Sequence, residues 1–500
     1  MSVCGHPCRW GYELLIRIGA IDLPQRASEI IERWEHDYMV VRVCIIVVSS
    51  ALLSSLLAAD IYSAPDTGLR LVITASSVPR RPTEIRLLPA DTELEDGNAA
   101  VVLLRMIWEQ QHFMQNVAPQ IDDLAQLPFD DPKVANDFHF DNFYRQMRHA
   151  AYMRDAKWEY PLNQRPLSMV LLPDVQGMRQ FAGRGMKLWI NQRLASQDHL
   201  DAIEGLRVQL ACARHVSKTP FLVSHLVAYS VADAALDNCE TLMSRPRSPN
   251  LYYALGMLPE HLGDVASALQ WEAVMLERSL PSLDSPWPDY EDAEAWERVA
   301  ADFSQFMEME LAEPLGAIEA AELSARMLAA ATGYLSKVME FSATKLAKMT
   351  PQAIVTIWVL ELNRMVQAEV EAAYALPQPQ AIAQLLEISK AIEERVASIK
   401  APATPFLRQP WRTYLGLNRF QRRVKYLQTI EAIRDYAAKH EGKLPSSLAD
   451  LSLPVPHDPL TSTDFEYQLA DGQATLAMPL IAGVEPEAQT RQIRQITVAP

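Results

Sequence analysis

Between Asp174 and Met243 the chain carries three apolar helical faces separated by turns of a few residues, which leaves few folds open. The first face holds Val175, Met178, Phe181, Ala182, Gly185, Leu188 and Trp189, and Ala195-Ser-Gln ends it. The second holds Leu200, Ile203, Leu206, Leu210, Ala213 and Val216. Lys218-Thr-Pro220 turns the chain into a third, with Leu222, Leu226, Ala232, Ala235, Leu236 and Leu242. Recurrence at three and four residues marks one buried side of an α-helix. Connections this short force neighbouring helices to pack antiparallel. The expected fold class is mainly α: antiparallel helical hairpins in a repeat-like α-α array, followed by a small C-terminal α+β module.

The same periodicity extends on both sides and defines an expected helical body over 98–400. It starts with Val101, Leu104 and Trp108, and it returns after the triple unit in a helix over His261 to Leu280. Thr350-Pro351 predicts a helix start, a capping hydroxyl before proline at the first helical position. Its core face is Ile354, Ile357, Leu360 and Val370, and the next helix shows Leu385, Ile388, Ile392, Val396 and Ile399. Only 17 glycines occur in 500 residues, so little in the backbone opposes helix formation. The formal charge of −16 argues against a nucleic-acid partner, because phosphate binding needs a cationic surface. Arg419, Arg422, Arg423 and Lys425, around Phe420 and Tyr426, are a local exception and read as a solvated helix face.

Ahead of the body stands Met39 to Ala59, a segment with a short cationic start at Arg42 and an uncharged run over 43–59. That run has the length of a signal-peptide core and is slightly short for a membrane span. The expectation for 39–59 is a signal peptide or a membrane anchor, with membrane contact through 43–59 if it is uncleaved. Leu57 stands where cleavage after Ala59 prefers a small side chain. Residues 1–38 then read either as an over-extended start, with Met39 the true initiator, or as a cytoplasmic arm. The segment 60–97 reads as a linker with strand character at Leu69, Leu71 and Ile73 and at Ile85 and Leu87.

Cys4, Cys8 and Cys44 fall in or before the apolar segment, leaving Cys212 and Cys239 in the body. In a hairpin turning near Thr219, Cys212 faces residue 226, and Cys239 lies roughly 13 residues further on, about 20 Å at helical rise. A disulfide cannot span that, so two buried free thiols are expected. Cys4-Gly-His6-Pro-Cys8 resembles half a metal site, and no second half follows.

Pro402, Pro405 and Pro410 mark an expected linker over 401–410. Beyond it, 411–480 reads as a helix with Phe420, Val424, Leu427, Ile430, Ile433 and Tyr436 on one side, then a hairpin. The hairpin strands are Phe465 to Leu469 and Ala474 to Met478, around Asp471-Gly472, a strong turn signal. The last segment, 481–500, reads as a tail.

Two resemblances follow from these residues. KLWINQRLASQDHLDAIEGLRVQLACARHV, residues 187–216, resembles one tetratricopeptide-like hairpin, with Leu188 and Trp189 as its bulky pair and Ala202 and Ala213 at close approach. Ser196 replaces the turn glycine, and no strict repeat period follows. The stretch Gly442-Lys-Leu-Pro-Ser-Ser-Leu-Ala-Asp-Leu451 with Asp458-Pro459 resembles the carboxy-terminal part of type II secretion pseudopilins and type IV pilin-like proteins, over 416–480. Those proteins begin with their apolar helix, whereas here all of 60–410 intervenes. Taken whole, the chain resembles a family of exported bacterial proteins that join a helical body to such a segment. The resemblance implies a bacterial envelope location, periplasmic or membrane-anchored, and carries no activity over.

The search for chemistry finds no zinc-protease histidine pair, nucleophile elbow, phosphate-cradling loop or dinucleotide fingerprint. No catalytic, cofactor-binding or metal residue is assigned. His215 and His225 approach across the turn at Thr219 and read as structural; so do Trp158, Glu159 and Arg179, and Glu272 reads as a helix-edge acid. Asp284 to Glu297, rich in Pro, Trp and acids, reads either as a cation or basic-partner site or as acids gathered at the next helix start. The expected function is a non-catalytic scaffold that binds a protein or peptide. The alternatives are a secretion- or pilin-associated factor and an envelope enzyme of unrecognised type.

Overall fold

Helix α1 (Ala99–Ala125) opens the helical part of the structure, yet it buries a side other than the one its spacing suggests. Leu103, Met106 and Ile107 face the core, while Val101 and Trp108 are 60% and 64% exposed. The first turns are apolar almost all round, so periodicity alone cannot choose a face. The choice is made by α4 (Pro173–Met178), where Gly177 leaves room for Ile107: a Cβ there would stand 2.6 Å from Ile107 Cδ1.

The computed structural model describes residues 69–500 apart from 126, 128–130, 138, 163–171, 284–285, 311–316, 399–409, 490 and 500. The arm 1–38, the segment 39–59 with its run 43–59, Cys4, Cys8 and Cys44, and Pro402 and Pro405 of the 401–410 linker lie outside the described residues. The described part is mainly helical with a small sheet, as expected. No helix of the described residues is long and apolar enough to cross a membrane.

After α1 come the short α2 (Pro132–Asp137) and α3 (Asp141–Ala151), and then the expected triple unit. Its first helix is α4, a π-helical stretch over Arg179–Gly185, and α5 (Met186–Ala195). The wider turn sits where Gly185 yields to Phe140; a Cβ there would lie 2.5 Å from the ring. Helix α6 (His199–Val216) starts at Asp198, whose side chain accepts the Asp201 amide, and α7 (Leu222–Met243) returns against it. Their apolar faces are buried as expected, except that Leu200, in the first turn beside the cap, is 80% exposed. Cys212 and Cys239 are buried and unpaired.

The chain continues through α8 (Tyr252–Gly256), α9 (Val265–Arg278), α10 (Ala293–Glu310), α11 (Ala317–Lys337) and the one-turn α12 (Ala343–Leu346). It closes with α13 (Pro351–Tyr374), α14 (Gln378–Ser398) and α15 (Pro410–Lys439). The Thr350 hydroxyl accepts the Ala353 amide at 3.3 Å, the expected cap of α13.

Four strands form one sheet in the order β1 (Leu69–Ile73), β6 (Ile493–Val498), β5 (Gln473–Ala477) and β4 (Glu466–Ala470). Strands β4 and β5 are the expected hairpin, turned by Asp471 and Gly472 at φ 50° and 77°, the left-handed pair that a two-residue turn requires. Strand β1 runs parallel to β6, with Leu71 opposite Ile496. A minor pair, β2 (Glu95–Asn98) and β3 (Met153–Asp155), lies beside α1.

This sheet corrects the expected linker and tail. Part of 60–97 supplies an edge strand, although Ile85 and Leu87 form none, and part of 481–500 supplies an inner one. The tail strand escapes sequence reading because Arg494 sits on its buried side, where Glu240 of α7 pairs with it. An arginine at an inward position breaks the apolar alternation that marks a half-buried strand.

The expected separation of 411–480 from the body is also corrected. Helix α15 packs against α7, α8 and α14, and its tyrosine Tyr426 donates to the Leu476 carbonyl of β5 at 2.8 Å. One continuous core holds Leu206, Leu236, Ile430, Leu476 and Ile496 together. The helix is buried on nearly every side, so Arg422 and Arg423 are not a solvated face.

Those buried charges are matched by position. Arg419 and Arg423, one turn apart, meet Asp233 of α7 at 2.9 and 3.0 Å, and Arg423 also reaches Asp237 at 2.7 Å. Lys187 of α5 takes the other Asp237 oxygen at 2.7 Å. Arg422 enters the loop before the hairpin and meets the fully buried Asp458. These pairs carry alignment between layers rather than large net stability.

Candidate functional site

The first place for a site is where sequence reading put weight on cations and rings. In the described part of 284–297 two acids sit at the helix start: Asp292 Oδ1 accepts the Ala295 amide at 2.9 Å, and Glu294 pairs with Arg298 at 3.0 Å. The rings Trp287, Tyr290 and Trp296 gather with Phe341; Trp296 stacks on Tyr290, and cations of this chain lie over Trp287, Tyr290 and Phe341. The Lys345 ammonium lies 3.8 Å from the Phe341 centroid and pairs with Glu291 at 3.1 Å. The Arg364 guanidinium lies over Trp287 at 4.3 Å. Cation and rings therefore satisfy each other internally.

The histidines do not meet as a pair. A ring nitrogen of His215 binds the Ala150 carbonyl and one of His225 binds the Thr219 carbonyl, each at 3.1 Å. Trp158 is buried and donates to the His215 carbonyl at 2.7 Å, whereas Glu159 is exposed. Glu272 is half-buried. Burial, with Arg214 and Lys218 nearby, pulls His215 down to about 3, and burial pulls His225 down to about 4. Both rings are neutral in the fold and protonate only in the unfolded chain, near pH 6.5. Stability from them is complete above about pH 6.5 and falls as pH drops toward 4, by roughly 1.4 kcal/mol per pH unit per ring at most. We expect the urea midpoint to fall between pH 6.5 and 4.5, and to fall less steeply in His225→Gln. Identical slopes in the two proteins would remove this account.

A cavity of about 380 Å³ opens where α9, α13, α14 and α15 converge. Its geometry starts at Gly263, whose missing side chain lets the loop pass against α6: a Cβ would stand 2.3 Å from the Ser217 carbonyl. That approach sets Asp264 as the cap of α9, its Oδ1 accepting the Ser267 amide at 3.1 Å. On the opposite wall α13 ends at Tyr374, and the chain passes through Ala375, Leu376 and Pro377 into α14. Proline there stops one helix and admits the next.

The walls divide by chemistry. Val265, Leu269, Leu376 and Leu417 give an apolar surface. Tyr374 and Tyr414 meet edge to face at 4.8 Å between centroids. Burial pushes the Tyr414 phenol up to about 12, so it remains a neutral hydroxyl at physiological pH. Gln378 donates to Asn418 Oδ1 at 3.2 Å and to Gln421 Oε1 at 2.6 Å, a knot of amides joining α14 to α15. His261, Asp264 and Glu371 also line the space, with Gln270 donating to Glu371 at 3.2 Å.

This is a cavity of the size that holds a small ligand or one side chain, mostly apolar with a few converging polar groups. No residue of it was assigned to a site from sequence, because its lining comes from three segments far apart in the chain, 261–269, 371–378 and 414–418. Among the described residues no group of three or more His, Cys, Asp or Glu is placed to hold a metal. No family model, no curated protein and no solved structure matches this chain.

Proposed function

We propose that this protein is a non-catalytic, exported or membrane-anchored helical scaffold of a bacterial envelope. In this reading it binds a protein or peptide partner through the cavity between α9 and α13–α15. The observation that supports it is the cavity itself, with apolar walls, two tyrosines and a polar rim at the junction of the helical body and α15. Such junctions of stacked hairpins are the usual binding surfaces of helical arrays, which fits the tetratricopeptide-like reading of 187–216. Export rests on the 39–59 segment. The secretion- or pilin-associated alternative called for an apolar stripe free to join other subunits, and the burial of α15 weighs against it.

The test is affinity capture from an envelope fraction, comparing wild type with Ala266→Phe. Ala266 lines the cavity and is exposed, so a ring there fills the space without disturbing the core. We expect a partner captured by wild type to be lost from Ala266→Phe while the melting temperature stays within a degree or two, the size of a surface substitution. Equal capture by both proteins would place the binding surface elsewhere.

A further inference from the structure

We infer that the cavity between α9 and α13–α15 accepts an alkylammonium group, its chain along the apolar wall and its cation between Asp264, Glu371 and Tyr374. This deepens the reading of the cavity as a binding site and rests on it.

The argument begins with the charges that line the space. Asp264 and Glu371 are the full negative charges of the rim, and no lysine or arginine lines the cavity among the described residues. Each carboxylate spends one oxygen on its own fold. Asp264 uses Oδ1 on the cap, and Glu371 uses Oε1 on Gln270. Among the described residues the second oxygen of each takes no hydrogen bond or ion pair, and it is the one a ligand would meet. A carboxylate pair facing one space favours a cation and repels an anion, and the −16 charge of the whole chain works in the same direction.

Helix ends are the competing effect, because helix starts favour anions. Here α9 and α14 both start at the cavity and α13 ends there. Asp264 caps the first of these starts, and the end of α13 offsets the start of α14 one short turn away. With those half-charges offset, the lining stays net negative, through all of the Glu371 charge and the part of the Asp264 charge that the α9 start does not cancel.

The remaining walls fit the other parts of such a ligand. Tyr374, held edge to face by Tyr414, offers a ring to a cation. Val265, Leu269, Leu376 and Leu417 cover a short methylene chain. A lysine side chain has this form, and so does a free alkylamine.

The experiment measures binding of n-pentylammonium, 1-pentanol and pentanoate to the full protein by ligand-observed NMR, with the peptide acetyl-Gly-Lys-Gly-amide as a fourth probe. We expect n-pentylammonium to bind at least tenfold more tightly than pentanol, and pentanoate more weakly than either. The variant Asp264→Asn/Glu371→Gln retains both internal hydrogen bonds, since asparagine also caps helices. In that variant the preference for the ammonium should vanish while pentanol binding stays unchanged. Pentanol binding as tightly as the ammonium, or a preference that survives the double variant, would overturn the inference and leave the cavity as a neutral site. Failure of every probe, with no difference between wild type and Ala266→Phe, would instead remove the cavity as a binding site. Lysyl-peptide binding that matches or exceeds the amine assigns the source to a protein partner; binding of the amine alone assigns it to a small molecule.

Discussion

Ile430→Asp is expected to unfold the helical body and the sheet together, in one transition. Ile430 is fully buried in α15, within a core that also contains Leu206 and Leu236 of the body and Leu476 and Ile496 of the sheet. An aspartate there loses the buried apolar surface and places an unpaired charge among apolar neighbours. Each effect costs several kcal/mol, and together they exceed about 5 kcal/mol, a large share of the stability of an ordinary domain. The sequence by itself suggests a narrower outcome, loss of the 411–480 segment alone, because the hairpin that follows is the nearest apolar cover for the stripe on the helix. Helix α15 instead fills the space between α7, α8, α14 and the sheet, so no layer keeps its partner once it is displaced. Limited proteolysis with fragment mapping reads the difference. Cleavage throughout 98–400 as well as in 411–480 is the expected result, and a body as resistant as wild type with only the tail cut would refute it.

Arg434→Met is expected to cost about 3–5 kcal/mol, the range for stripping one partner from a buried ion pair. Arg434 and Glu431, one turn apart on α15, are both fully buried and meet at 2.8 Å. The guanidinium does more than neutralise Glu431. Its Nε donates to the Thr74 carbonyl at 2.8 Å and its Nη2 to the Ser248 hydroxyl at 2.7 Å. It thereby joins α15 to the exit of β1 and to the loop after α7. Asn250 reinforces the junction by donating to both the Ser76 and Glu431 carbonyls at 2.8 Å. Burial raises the Glu431 carboxyl even beside Arg434, so the acid left alone in the variant is costly as an anion. The double variant Glu431→Leu/Arg434→Met removes both charges and should recover much of the loss. Equilibrium urea unfolding of the three proteins checks this. A single variant within about 1 kcal/mol of wild type would mean that the pair contributes no more than a surface bridge does.

Helices, caps and the hairpin were legible in the sequence because each depends on residues close together in the chain. The faces of α6, α7 and α13 follow from spacing, the Thr350 cap and the Asp471-Gly472 turn from two residues each, and the free thiols Cys212 and Cys239 from helical rise. The orientation of α1 was not legible, since an almost uniformly apolar surface points nowhere until Gly177 makes room for Ile107. Burial of Arg422, Arg423, Arg434 and Arg494 was not legible either. A charged side chain reads as exposed unless its partner is known, and Asp458, Asp233, Glu431 and Glu240 are brought to them only by the packed layers. Strand β1 finds β6 more than 400 residues further along the chain, and the cavity takes its walls from three distant segments for the same reason. Local spacing determines which elements form and what ends them. Which side each presents, which charges enter the core and where space is left open depend on long-range contacts, and only the assembled tertiary structure makes those.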